Sequence, residues 1–128
     1  MDSWEEKTLN DIASYKKGPF GSSITKAMFV PKTANTYKVY EQGNVIRKDL
    51  TYGHYYITSE KYQELKGFSV KAGDILISCA GTIGEVYKLP PECEEGVINQ
   101  ALMRVRLNQN IIEGYFCYYF GEIIRMML

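Results

Sequence analysis

Residues 73–84 read Gly73-Asp74-Ile75-Leu76-Ile77-Ser78-Cys79-Ala80-Gly81-Thr82-Ile83-Gly84, and Ile98-Asn99-Gln100 follows in the next apolar stretch. Ala72-Gly73-Asp74 has the composition of a tight reversal. Ile75 to Ile77 form the short continuous apolar run of a buried strand, and Gly81 and Gly84 bracket a second turn. Taken singly, these are ordinary punctuation of a β-rich protein; their order on the chain is the strongest signal it carries.

Outward from this core the β pattern continues. Phe68 to Val70, Glu85 to Lys88 and a long strand from Val97 to Leu107 are expected, with Pro90-Pro91 separating the last two. In the long strand Ala101, Met103, Val105 and Leu107 alternate with Leu102, Arg104, Arg106 and Asn108, giving one apolar face and one mixed face. Upstream, Tyr37 to Gln42 alternates as a strand does, Gly43-Asn44 reads as a turn, and Val45 to Leu50 as a second short strand. Ala27 to Val30 reads as a brief strand. Ser59 is placed to cap a short helix over residues 60–66, which Gly67 would end. Asn110 and Glu113 have the spacing of a capping box, and from about residue 111 Ile112, Tyr115, Phe116, Tyr119, Phe120, Ile123, Ile124 and Met127 make one apolar stripe, so a C-terminal helix is expected. The expected class is α+β: a curved, mostly antiparallel or mixed sheet, with the C-terminal helix packed across it.

At 128 residues, with 45% hydrophobic and 23% charged residues, the chain fits a single globular domain, 1–128. Its apolar runs fall far short of the ~20 residues that cross a bilayer, which argues against a membrane protein. The acidic start, Met1-Asp2-Ser3-Trp4-Glu5-Glu6, lacks an apolar export segment, so the cytoplasm is the expected compartment. Cys79, Cys93 and Cys117 form no Cys-x-x-Cys pair and His54 is the only histidine, an inventory too poor for a metal site. No cofactor is expected.

The formal net charge is zero, a balance that free-standing nucleic-acid binders do not usually show. The distribution is uneven. Between residues 16 and 48, Lys16, Lys17, Lys26, Lys32, Lys38, Arg47 and Lys48 face only Glu41, a surplus of six positive charges. Between residues 85 and 95, Glu85, Glu92, Glu94 and Glu95 face only Lys88. The expectation is a basic first half that meets phosphates, with the acidic segment turned away.

In order, Trp4, Leu9, Asp11-Ile12, Gly18-Pro19-Phe20-Gly21-Ser22, Val45 to Leu50, Ile57, Tyr62, Val70 to Ser78, Gly81 to Gly84, Ile98-Asn99-Gln100 and Tyr115-Phe116 span nearly the whole chain. This ordered set resembles the target recognition domain of the specificity subunit of Type I restriction-modification systems. The resemblance implies a subunit that catalyses nothing itself. It would select one half of a bipartite sequence in double-stranded DNA for adenine methyltransferase subunits, which use S-adenosylmethionine, and for a restriction endonuclease-translocase subunit. It also implies a second recognition domain or a homodimer partner, and coiled-coil spacer helices that this sequence lacks.

Two segments combine cations, hydroxyls and aromatic rings in loop-like sequence, where recognition tends to sit. The candidate DNA contacts are Lys16, Lys17, Ser22, Ser23 and Lys26 in the first, and Arg47, Lys48, Thr51, Tyr52, His54 and Tyr55 in the second. Lysine and arginine neutralise phosphates, arginine pairs with guanine, and hydroxyls reach other base edges. The same residue types also build ordinary surfaces and small cores. Asn99 and Gln100 read chiefly as partners for backbone groups near the Gly81–Gly84 turn, although their amides have the donor-acceptor pair that adenine requires. Two other classes remain open: a protein-interaction β-domain docking through the C-terminal aromatic helix, and a self-processing serine peptidase using serines such as Ser22, Ser23 or Ser78 with a lysine such as Lys71, although no spacing nominates a pair.

Overall fold

The computed structural model describes residues 13–107. Eight strands fall into two four-stranded sheets. The first is antiparallel throughout, in the order β1 (Ala13–Lys17), β8 (Leu102–Leu107), β5 (Ile75–Ser78), β6 (Val86–Lys88). The second runs β3 (Tyr56–Thr58), β2 (Thr36–Tyr40), β7 (Gly96–Ile98), β4 (Ser69–Val70), with β2 and β7 parallel and the other pairs antiparallel.

The expectation of one curved sheet is therefore wrong: there are two open sheets, and neither closes on itself. The physical cause is at Asn99. The expected strand Val97–Leu107 is cut there because Asn99 Oδ1 accepts the Ala101 N–H at 2.9 Å and the Asn99 carbonyl accepts from Leu102 N–H. This side-chain-assisted turn delivers Ile98 to the second sheet and Leu102 to the first. The expected helix from about residue 111 lies outside the described residues.

Other elements follow local chemistry. β5 is buried along its whole length, as a continuous apolar run in a central strand should be. The turn after it carries Gly81 and Gly84 at φ +59° and +90°, conformations open to glycine. The short helix α2 (Ser59–Glu64) forms near the expected place, but Thr58 caps it: its Oγ1 accepts from Lys61 N–H at 3.2 Å. The chain then continues through a 3-10 turn at Lys66–Phe68 instead of stopping at Gly67. The expected strand Val45–Leu50 is not a strand. Residues Gln42–Ile46 form helix α1, because Glu41 and Asn44 make a reciprocal capping box that satisfies the free N–H groups of its first turn. Ala27–Val30 is a 3-10 turn, Lys26–Met28, followed by a single β-bridge from Val30 to Tyr56.

Strand alternation divides the core. Tyr40, Val70, Ile98, Leu76 and Leu102 pack with Val45 and Leu89 between the sheets. Their neighbours Val39 and Val97 point to the opposite face of the second sheet, where Ile24, Ile57, Tyr62 and Leu65 cover them. The sheets are also clasped. Asp74, 2% exposed, accepts Lys71 N–H and two bonds from Arg106, Nε at 2.7 Å and Nη2 at 3.0 Å. Arg106 Nη2 and Arg104 Nη1 both reach the Ser69 carbonyl, so β8 of one sheet grips β4 of the other. Desolvation lowers the pKa of Arg104. The two arginines of the mixed face are thus framework.

Candidate nucleic-acid interface

The loop from Arg47 to Tyr55 is built from beneath. Asn44, fully buried on α1, donates its amide to the carbonyls of Asp49 and Tyr52, both at 2.9 Å, while its Oδ1 accepts from Glu41 N–H at 2.8 Å. Lys38, 1% exposed on β2, donates its ammonium to the Tyr52 carbonyl at 3.1 Å and the Gly53 carbonyl at 3.4 Å. The rings of Tyr40 and Tyr56 lie 5.8 and 5.5 Å from its Nζ. Burial lowers the Lys38 pKa, opposed by the carboxylates of Glu94 and Glu41. A lysine counted among phosphate-facing cations in the sequence is an internal brace for the loop backbone.

With its carbonyls taken up inside, the loop turns side chains outward. Arg47 is exposed, and its guanidinium stands 4.9 Å from the Tyr52 ring centroid. The other support of that ring is Gly43, where a Cβ would come within 2.1 Å of Tyr52 Cε1, so the ring needs a glycine on α1. Lys48 adopts a left-handed φ of +53° and donates to the Val45 carbonyl at 3.1 Å. Thr51 spends its hydroxyl and its N–H on Asp49 Oδ1, at 2.7 and 2.9 Å, and these bonds hold the Asp49 carboxyl below the usual range. His54 is exposed, and Tyr55 is half-buried, stacked on Phe29 at 4.2 Å. Glu41, Asp49, Thr51, Tyr52, Gly53, His54 and Tyr55 line an open concavity of about 400 Å³. Desolvation there raises the pKa of Glu41, against the opposing charges of Lys38 and His54.

The first segment is divided. Lys16 and Lys17 lie on β1 and not in a loop; both are exposed, with the Lys16 ammonium 4.9 Å from the Phe68 ring centroid. Ser22 is exposed and Ser23 half-buried in a 3-10 turn, Gly21–Ser23. Lys26 is exposed at the start of the next turn, which the Phe29–Tyr55 stack joins to the second loop.

The acidic segment is not turned away from the basic half. Lys32 pairs with Glu94 at 3.1 Å, Lys48 with Glu85 at 3.4 Å, and the Tyr56 hydroxyl donates to Glu94 at 3.0 Å. Two cations of the basic half therefore carry a local counter-charge, and Lys38 is internal. Lys16, Lys17, Lys26 and Arg47 have no ion pair among the described residues.

Sequence reasoning missed Lys38, Asn44 and Glu41 as the parts that shape this surface. The Glu41-x-x-Asn44 spacing of the capping box was the available signal. Ser78 offers no nucleophile: it is fully buried, donating to the Thr82 carbonyl and accepting from Glu85 N–H at 2.9 Å, while Lys71 is exposed. Among the described residues no group of His, Cys, Asp and Glu could hold a metal ion, and no helix is long and apolar enough to cross a membrane.

The sequence matches the family model described as the Type I restriction modification DNA specificity domain over residues 1–126. The chain belongs to that family. It is a target-recognition domain of a specificity subunit. Solved structures agree on the fold of this specificity domain. The HsdS subunit from Thermoanaerobacter tengcongensis matches with TM-score 0.64 and 15% identity, over 92% of this chain and 27% of that one. A chain from work on complex assembly and conformational transition of the type I R-M system matches with TM-score 0.63 and 13% identity, over 93% and 27%. The S subunit from M. genitalium matches with TM-score 0.55 and 14% identity, over 98% and 30%. The specificity domain thus spans less than a third of the chains it resembles. A search of curated proteins finds no match.

Proposed function

We propose that this domain reads one half of a bipartite sequence in double-stranded DNA through the surface formed by residues 47–55 and the exposed residues of 16–26. The observation that carries the reading is the inward commitment of the loop carbonyls to Lys38 and Asn44. A loop braced in this way presents Arg47, Tyr52 and His54 at low entropic cost on binding, which is what specific readout requires. Arg47 supplies a planar fork for phosphate or guanine, and the concavity beside it has the mixed donors and acceptors of a base-edge reader.

In this reading the chain is one recognition domain of a longer subunit, which carries a second such domain or pairs with a second copy. Its target is passed to adenine methyltransferase subunits and to a restriction endonuclease-translocase subunit. Zero net charge and two internally neutralised lysines leave a small phosphate contribution, so much of the total affinity comes from those partners. The compartment is the cytoplasm, where bacterial DNA is found.

Replacing Arg47 and Lys48 together with alanine tests the assignment. Both are exposed, so stability should stay within about 0.5 kcal/mol. Duplex affinity should fall, and the slope of log affinity against log salt should flatten by up to about two. Unchanged affinity and slope would remove these positions from the interface.

A further inference from the structure

We propose that Phe20 is the apolar tip with which this domain touches the bases of a duplex. The inference rests on the DNA-reading surface proposed above and adds to it a residue that charge and hydroxyl content did not nominate. Phe20 is 85% exposed, against 37% and 38% for Ile46 and Ile83, the other exposed large apolar residues among the described residues. One exposed ring alone is ordinary on a protein surface; the mount and the surroundings of this one are what mark it for contact.

Its mount is fixed on both sides. Before it, Gly18 N–H donates to the Leu102 carbonyl at 2.9 Å, and the backbone passes so close to the Asn99–Gln100 turn between β7 and β8 that a Cβ on Gly18 would stand 1.9 Å from the Asn99 carbonyl oxygen. Pro19 is buried. After it, the Phe20 carbonyl accepts from Ser23 N–H at 2.8 Å, and Ile24, 4% exposed, is sunk in the core beside Val39 and Ile57. The ring therefore sits on a turn locked at each end and not on a floppy loop.

The surroundings select the occupant. No acidic residue occurs between Asp11 and Glu41, while Lys16, Lys17 and Lys26 are exposed in the same segment. Exposed Gln100 lies beside the turn, its amide nitrogen 3.9 Å from where a Cβ of Gly21 would be. Cations for phosphates, an amide of the type that pairs with adenine and one projecting ring make the inventory of a duplex-contacting element. In such elements an apolar wedge or methyl contact accompanies polar readout.

The test compares F20A with the double variant R47A/K48A, using the chain and a mixed-sequence duplex titrated across salt concentrations. F20A should keep the thermal unfolding midpoint and weaken binding by about tenfold, in the range that base–aromatic contacts give, with the salt slope unchanged because no phosphate contact is lost. F20L should recover part of the affinity. A benzophenone amino acid at position 20 should give a nuclease-sensitive photoadduct with the duplex. Full affinity in F20A, or a nuclease-resistant protein adduct formed in cell extract in place of the DNA adduct, would overturn the proposal while R47A/K48A still weakens binding. Binding unaffected by either variant would overturn the DNA-reading surface as well.

Discussion

Residues 16–26 and residues 47–56 were both legible as cationic loop sequence, yet they are held in opposite ways. The first is fixed by close backbone contact with the Asn99–Gln100 turn and by plugs such as Pro19 and Ile24. The second is fixed from within, by two buried polar side chains that consume its carbonyls. The difference teaches that charge on a surface and charge beneath it do separate jobs. Lys38 and Arg47 count equally in a sequence sum, but one shapes the loop and the other faces solvent.

The sharpest way to break the comparison is to remove the internal brace. Asn44→Ala deletes two donated bonds and one accepted bond in a fully buried position, leaving the Glu41 N–H and Asp49 carbonyl without those partners. It should cost about 3 kcal/mol in urea unfolding. A loss under about 1 kcal/mol would mean that the loop does not depend on Asn44.

Lys38→Met should cost less, about 1–2 kcal/mol, because the unpaired loop carbonyls are partly offset by the removal of a buried charge. The variant also sharpens the comparison through pH. The Lys38 pKa is below 10.5 in the folded chain, so between its folded value and 10.5 the unfolded state holds more protons. Stability from this group therefore rises with pH through that window. The advantage of the unsubstituted chain over K38M should grow as pH climbs towards 10, and a flat difference would show that the ammonium is not desolvated. Tyr40 and Tyr56 have raised pKa values, but both remain in the variant and largely cancel in the difference.

A smaller effect is expected where the acidic segment meets the basic one. Replacing Glu85 and Glu94 with glutamine frees Lys48 and Lys32 from their carboxylates. Non-specific duplex binding at low salt should strengthen by a few-fold and the salt slope should steepen. No change would mean that neither lysine lies near phosphate.

What the sequence disclosed follows the range of the forces involved. β5 and the turns around it were readable because a continuous apolar run and glycines at positive φ are local demands. The helix at Gln42–Ile46 was misread as a turn and strand because its deciding interaction, the Glu41–Asn44 box, outweighs the weak β preference of Val45 and Ile46. The long strand was misread because alternation continues across Asn99 while a single side-chain hydrogen bond redirects the backbone. At the candidate site the exposed residues were nominated by type. The pairing of Lys32 and Lys48 with acids 62 and 37 residues away depends on the tertiary fold, which no local pattern encodes.

Because the loop at 47–55 takes its shape chiefly from side chains at positions 38 and 44, with Lys48 and Thr51 adding local bonds, the side chains of Arg47 and His54 take no part in that bracing. Arg47 or His54 can be exchanged without disturbing the donors underneath. Under the proposed readout, a lineage could rewrite which bases are chosen, one outward residue at a time, and inherit the same rigid presentation at every step.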